Sequence, residues 1–220
     1  MSADGFSRTS FLDIETVASP DVEGLLDPVR APANYKDPFK IAVYRADKLA
    51  EKIATASLEP DLCEVVAVGV DSGQGVEAMT RADLDETQIL EWFWDRVAGS
   101  RFIGFNILKF DMPVLIRRSQ LLGIPYPHVN LDRYRTQHVD LLEQLSFNGL
   151  IPYRSLGFYC RRFGIDVPED VVAGSDIGGL VAAGEWDLVL AHVVSDVAKT
   201  RLLAERLHAW VPVKVNARSA

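Results

Sequence analysis

Asp13 and Glu15, two apart in SRTSFLDIETV (residues 7–17), are the first residues in the chain whose spacing could do chemistry. Phe11, Leu12 and Ile14 around them predict a strand, and residues two apart in a strand point to the same face. Two carboxylates forced together repel, a costly arrangement unless a cation neutralises them. A strand whose polar face meets water would carry the same pair. Asp111 ends the string GFNILKFD (residues 104–111), between a predicted strand and a predicted helix. It could cap that helix. Capping alone, however, requires neither Gly104, Asn106 and Phe110 before it nor Pro113 and Leu115 after it. Asp196 lies within HVVSDVAKT (residues 192–200), in an apolar helical run where Asp is disfavoured unless exposed or paired. His192 is four residues earlier and shares its helix face, the spacing also of a surface His–Asp pair worth a few tenths of a kcal/mol.

These acids need a frame. After the first strand, residues 18–37 are rich in Pro, Asp, Gly and Ala and read as a loop. A helix is predicted over 40–55, started by Asp37-Pro38, with Ile41, Tyr44, Leu49 and Ile53 on one face. Residues 18–60 thus form a loop-and-helix insertion. The near-continuous apolar run EVVAVGVD (64–71) predicts an interior strand, and the turn at Gly73–Gly75 leads into a short strand over 76–80. A helix over 85–98 (Ile89, Trp92, Phe93 and Val97 on its apolar side), a strand over 101–106 and a helix over 111–122 follow. Pro113 is tolerated in that last helix's first turn. Helices are predicted over 139–145, 155–163, 176–183 and 185–210. This order makes an α/β protein with a mixed central β-sheet flanked by α-helices. The sheet must be mixed because the Gly73–Gly75 turn is too short for a parallel crossover. With no repeat, low-complexity tract or linker, the expectation is one domain over 1–220.

The 220 residues can bury a sizeable core. No apolar run approaches the roughly 20 residues that span a bilayer, and Met1–Ser10 lacks the apolar stretch of a signal peptide. Two cysteines, Cys63 and Cys160, form no metal or redox motif and suit a reduced, cytoplasmic setting. The net charge of −8 is unevenly spread: residues 101–162 carry 9 Lys/Arg against 4 Asp/Glu, whereas residues 1–100 carry 9 against 19. A locally basic face could track phosphates on an acidic protein, and a solvated surface without a partner has the same composition.

The strings FLDIET, GFNILKFDMPVL and HVVSDVAKTRLL occur in the order and approximate spacing of the three motifs of DEDD (DnaQ-like) 3'→5' exonucleases, and the chain resembles that superfamily over residues 9–208. The insertion, with Ala33-Asn34-Tyr35-Lys36-Asp37-Pro38, resembles that of predicted exonucleases akin to the proofreading domain of family B polymerases. The resemblance implies an RNase H-like fold and hydrolysis of a terminal phosphodiester to release nucleoside 5'-monophosphates. It implies that Asp13, Glu15, Asp111 and Asp196 hold two Mg²⁺ or Mn²⁺ ions, hard cations suited to an all-oxygen site. Such a pair, about 4 Å apart, activates the attacking water and stabilises the leaving oxygen. The implied partner is nucleic acid with a free 3' end. The polymerase-like insertion favours single-stranded DNA, for an enzyme acting without a polymerase domain in cis. An RNA-trimming exoribonuclease and a catalytically silent nucleic-acid-binding module are the alternatives.

One position departs from the pattern. The subfamily with this type of third motif carries Tyr four residues before the last Asp, and the other large subfamily carries His five before it; His192 combines the residue of one with the spacing of the other. One helical residue is about 100° of rotation, so the spacings are not equivalent. A neutral imidazole, with an ordinary pKa near 6.5, can take a proton from the attacking water. The expected role of His192 is to orient or deprotonate that water. Asn106 and Phe110 are expected to shape the site around Asp111, and Thr16 to contact the terminal nucleotide. Asp140 could support metal or substrate indirectly, or cap a helix. Arg117, Arg118, Arg154, Arg161 and Arg162 are candidates for phosphate contacts.

Overall fold

In the computed structural model, which describes residues 8–166 and 172–208, the period-two alternation of the first segment is realised as strand β1 (Arg8–Ala18). The apolar run that follows the insertion is β2 (Cys63–Asp71), buried along almost its whole length as an interior strand must be. Through the turn containing Gly73 and Gly75, with φ of 103° and 106°, it enters β3 (Val76–Thr80). These left-handed values are what glycine supplies without steric cost. β4 (Ser100–Gly104) and β5 (Val139–Asp140) complete a sheet of order β3-β2-β1-β4-β5. β1–β2 and β2–β3 are antiparallel, β1–β4 and β4–β5 parallel, so the sheet is mixed as expected.

Helix α1 (Val22–Leu25) and helix α2 (Pro38–Thr55) lie between β1 and β2. The Asp37 carboxylate accepts from the Phe39 amide to start α2. Ile41, Tyr44, Leu49 and Ile53 form its inner side, yet all stay only half-buried. Helix α3 (Glu86–Arg96) begins with a reciprocal capping box between Asp85 and Gln88. Helix α4 (Asp111–Leu122) crosses from β4 to β5. Helices α5 (Leu141–Leu145), α6 (Leu156–Arg162), α7 (Ile177–Ala183) and α8 (Trp186–Arg206) make up the second half.

One expectation needs correction. Val139 and Asp140, read as the start of a helix, instead pair with Ile103 and Gly104 as an edge strand, and the helix begins at Leu141. A two-residue strand is decided by the neighbouring sheet edge and is too short to show a period. The alternative left open for Asp111, that it caps α4, is not realised: Phe110 holds that place and Asp111 is the first helical residue. The last helix ends at Arg206, short of the predicted 210, and 209–210 lie outside the described residues.

The sheet separates two cores. On one face Leu12 and Ile14 pack with Val68, Val70, Phe93, Met112 and Leu115, under α3 and α4. On the other, Phe11 and Ile103 pack with Tyr159, Val197 and Leu203, under α6 and α8. Strand alternation therefore puts Phe11, Asp13 and Glu15 on the α8 face. Helix α8 comes close to the sheet at Gly69, the register partner of Asp13. A Cβ there would stand 2.8 Å from Val197 Cγ2 and 3.2 Å from Val193 Cγ2. Gly69→Val is therefore expected to force α8 off the sheet and cost about 1–3 kcal/mol, the usual scale of overpacking. Urea denaturation of the variant checks this, and wild-type stability would contradict it.

Candidate active site

Asp13 and Glu15 leave β1 on the face covered by α8, as their spacing predicts. At Glu15/Thr16 the β1–β2 register slips past Val66, a bulge of the kind that re-aims side chains beside functional sites. The Thr16 hydroxyl donates to the Ser57 carbonyl at 2.6 Å, tying the strand to the end of the insertion.

Asp111 is positioned by the loop between β4 and α4. Gly104 is required there, since a Cβ would meet Ile107 Cγ2 at 1.9 Å. Asn106 takes a left-handed φ of 69°, which asparagine tolerates better than most residues. The buried Asp140 carboxylate accepts from the Asn106 and Leu108 amides, both at 3.0 Å, and from Leu142 and Glu143 at the start of α5. It is thus both a helix cap and the anchor of the loop that delivers Asp111. Phe110 is half-buried against the core beneath α4.

Helix α8 contributes His192, Asp196 and Lys199 from one stripe, at spacings of four and three. His192 Nε2 stands 3.5 Å from Glu15 Oε1 and 3.9 Å from Asp196 Oδ2, so the four-residue spacing does bring the imidazole to the acids. Its Nδ1 is buried without a hydrogen-bond partner among the described residues. Lys199, only 2% exposed, donates to Asp196 Oδ1 at 2.9 Å.

The electrostatics are those of acids held together against their repulsion. Burial, then the charges of Asp111, Glu15 and Asp196, raise the Asp13 carboxyl well above its ordinary value, with Lys199 pulling it back. Burial, then Asp196 and Asp111, push Glu15 up to about 9. Asp111 rises to about 7, chiefly through burial, against the lowering effect of its own and Ile14's backbone amides. Four converging acids fit a hard divalent cation by donor chemistry and charge. They do not form a closed cage: no three His, Cys, Asp or Glu among the described residues are gathered as ligands. His192 and Lys199 stand among them instead.

Of the candidate phosphate contacts, Arg117 pairs with Asp61 at 3.0 Å and Arg118 is held at two points by Glu86, at 2.6 and 2.8 Å. The Arg118 pair is largely buried and serves the fold, whereas the Arg117 pair lies on the exposed surface. Arg154, Arg161 and Arg162 are exposed, Arg154 over the Phe158 ring. Lys199 and the anchoring function of Asp140 were missed in the sequence. A Lys three residues after an Asp on a helix reads as a solvated pair, and only its burial reveals otherwise.

The family model described as a predicted 3'-5' exonuclease related to the exonuclease domain of PolB matches residues 58–211. The chain belongs to this family. The matched range includes Asp111, Asp140, His192 and Asp196; Asp13 and Glu15 precede it. An uncharacterised protein of Methanocaldococcus jannaschii is 37% identical over 131 residues, covering 57% of this chain and 70% of that protein. Among solved structures, the family B DNA polymerase from the hyperthermophilic archaeon Pyrobaculum calidifontis superposes with a TM-score of 0.63 at 20% identity. That match covers 91% of this chain and 24% of the polymerase chain. The fold is accordingly RNase H-like and the chain a member of the DnaQ-like exonuclease superfamily. No described helix is long and apolar enough to cross a membrane.

Glu15 supplies a test with a definite sign. The folded chain keeps its proton up to about pH 9, against an ordinary value of 4.5, so raising the pH between these values favours unfolding. Below that window both states are protonated and the penalty vanishes. The metal-free Glu15→Gln variant is expected to gain stability over wild type as pH rises from about 4.5 to about 9. Melting curves across this range check it; a difference that stays flat would contradict it.

Proposed function

We propose that this exonuclease-family chain acts as a single catalytic domain, with residues 18–60 as an insertion. It hydrolyses the terminal phosphodiester bond at a free 3' end and releases nucleoside 5'-monophosphates. Single-stranded DNA is the proposed substrate, and two Mg²⁺ or Mn²⁺ ions are proposed to be held by Asp13, Glu15, Asp111 and Asp196. The supporting observation is the convergence of these acids from three elements, three of them with proton affinity raised by burial and mutual repulsion. Such an arrangement is unfavourable by itself and becomes favourable once cations bind. The insertion and the family's relation to the PolB exonuclease domain support DNA over RNA. The setting would then be DNA repair or replication.

When bound, the ions would supply positive charge for water activation and for the leaving oxygen. The protein's own residues do the rest. His192 Nε2, turned toward Glu15 and Asp196, accepts a proton from the attacking water. The water oxygen bonds to phosphorus, the bond from phosphorus to the 3' oxygen breaks, and that oxygen takes up a proton from solvent. Asp140 keeps Asp111 in place through the Asn106 and Leu108 amides. Thr16, next to Glu15 in the chain, and Asn106 and Phe110, in the loop that delivers Asp111, are assigned contacts with the terminal nucleotide.

End-labelled single-stranded DNA, duplex DNA and RNA, incubated with Mg²⁺, Mn²⁺ or EDTA, test this reading. Metal-dependent shortening of single-stranded DNA from its 3' end is expected, with activity abolished in Asp111→Asn and Asp196→Asn. Shortening of RNA alone would make the chain an RNA-trimming enzyme; no shortening would make it a binding module. His192→Ala is expected to lose about 10²–10⁴-fold in turnover, the usual scale of general base catalysis. His192→Tyr should keep part of the activity, and full activity in the Ala variant would end the proposed role of His192.

A further inference from the structure

Lys199 is a buried cation paired with a carboxylate proposed to hold metal. A fully buried lysine is rare unless paired. Lys199 is 2% exposed and its ammonium lies 2.9 Å from Asp196 Oδ1, on the same stripe of α8 as His192. Its charge also reaches Asp13, where it opposes the effect of burial and of the neighbouring acids. The ammonium therefore lies within the acid cluster, where a divalent ion on Asp196 would have to be accommodated.

We infer that Lys199 is a resident cation of the carboxylate site, which holds Asp196 in the metal-free protein and weakens the divalent ion that binds on the α8 side. Charge makes the consequence concrete. Four carboxylates carry −4 when ionised, and Lys199 reduces this to −3. One divalent ion leaves −1, and a second leaves +1, the charge that one substrate phosphate diester cancels. The two ions are thus held unequally: the first tightly by the protein, the second mainly when substrate is present. Lys199 acts through Asp196 and the metal, as a positioning residue.

The inference rests on the metal-holding reading of the four acids, and titration of the metal-free protein with Mn²⁺ alone separates the two. Wild type is expected to take up one ion tightly and a second weakly. Lys199→Met, which keeps the length and removes the charge, is expected to bind the weak ion about ten-fold more tightly or better, the effect of removing a unit charge a few ångström away. Lys199→Arg, which keeps the charge, is expected to bind as wild type does. Thermal stabilisation by Mn²⁺ should follow the same order, and Lys199→Gln gives the same readout if the Met variant is too unstable to titrate. A purely structural lysine would lower stability in Lys199→Met without tightening Mn²⁺ binding, which would overturn the inference. Unchanged or weaker binding in Lys199→Met, or tightening in Lys199→Arg, would also overturn it. Absence of Mn²⁺ uptake by wild type would instead overturn the metal reading itself.

Discussion

Repulsion among Asp13, Glu15, Asp111 and Asp196 is the constraint around which the rest of the structure is organised. Carboxylates brought together away from water either keep their protons or recruit positive charge. Here three of them show raised proton affinity, and the fourth is met by a buried ammonium. Holding them requires the surrounding structure to supply the free energy, and the cores on the two faces of the sheet are its source. The site lies where elements from the beginning, middle and end of the chain cross, so only the completed fold can impose the strain.

Each acid reaches the site by a different device. β1 uses alternation, sending Leu12 and Ile14 to the α3/α4 core and Asp13 and Glu15 to the face of α8. The loop before α4 uses a glycine without room for a Cβ, an asparagine in the left-handed region, and the Asp140 anchor. Helix α8 uses its periodicity, with Gly69 on β2 allowing the close approach. Asp140 shows how economical this is, because the same carboxylate caps α5 and ties down the loop bearing Asp111.

Arginine assignments illustrate why charge along a chain is a poor guide to a binding face. The basic stretch at 101–162 fits both a track for phosphates and a solvated surface. Within it Arg117 and Arg118 are matched to Asp61 and Glu86, acids distant in sequence that local composition cannot show. Lys199 is the converse case. It is an ordinary residue by sequence, and becomes part of the site only because α8 buries the stripe that carries it.

The sequence by itself determined the mixed sheet and the strands and helices that carry Asp13, Glu15, Asp111, His192 and Asp196, matters of period, turn length and short-range spacing that local physics decides. That these residues form one site was implied by the resemblance of their three strings to the exonuclease motifs, and by no single spacing. Tertiary structure decided that Val139–Asp140 is an edge strand, that Asp111 is no cap, and that Asp140 anchors two elements at once. It alone decided that a histidine at the four-residue spacing still reaches Glu15 and Asp196, and that a lysine stands among the acids. Those outcomes depend on how α8 seats against the sheet at Gly69, a contact between parts of the chain more than a hundred residues apart, on which no local pattern bears.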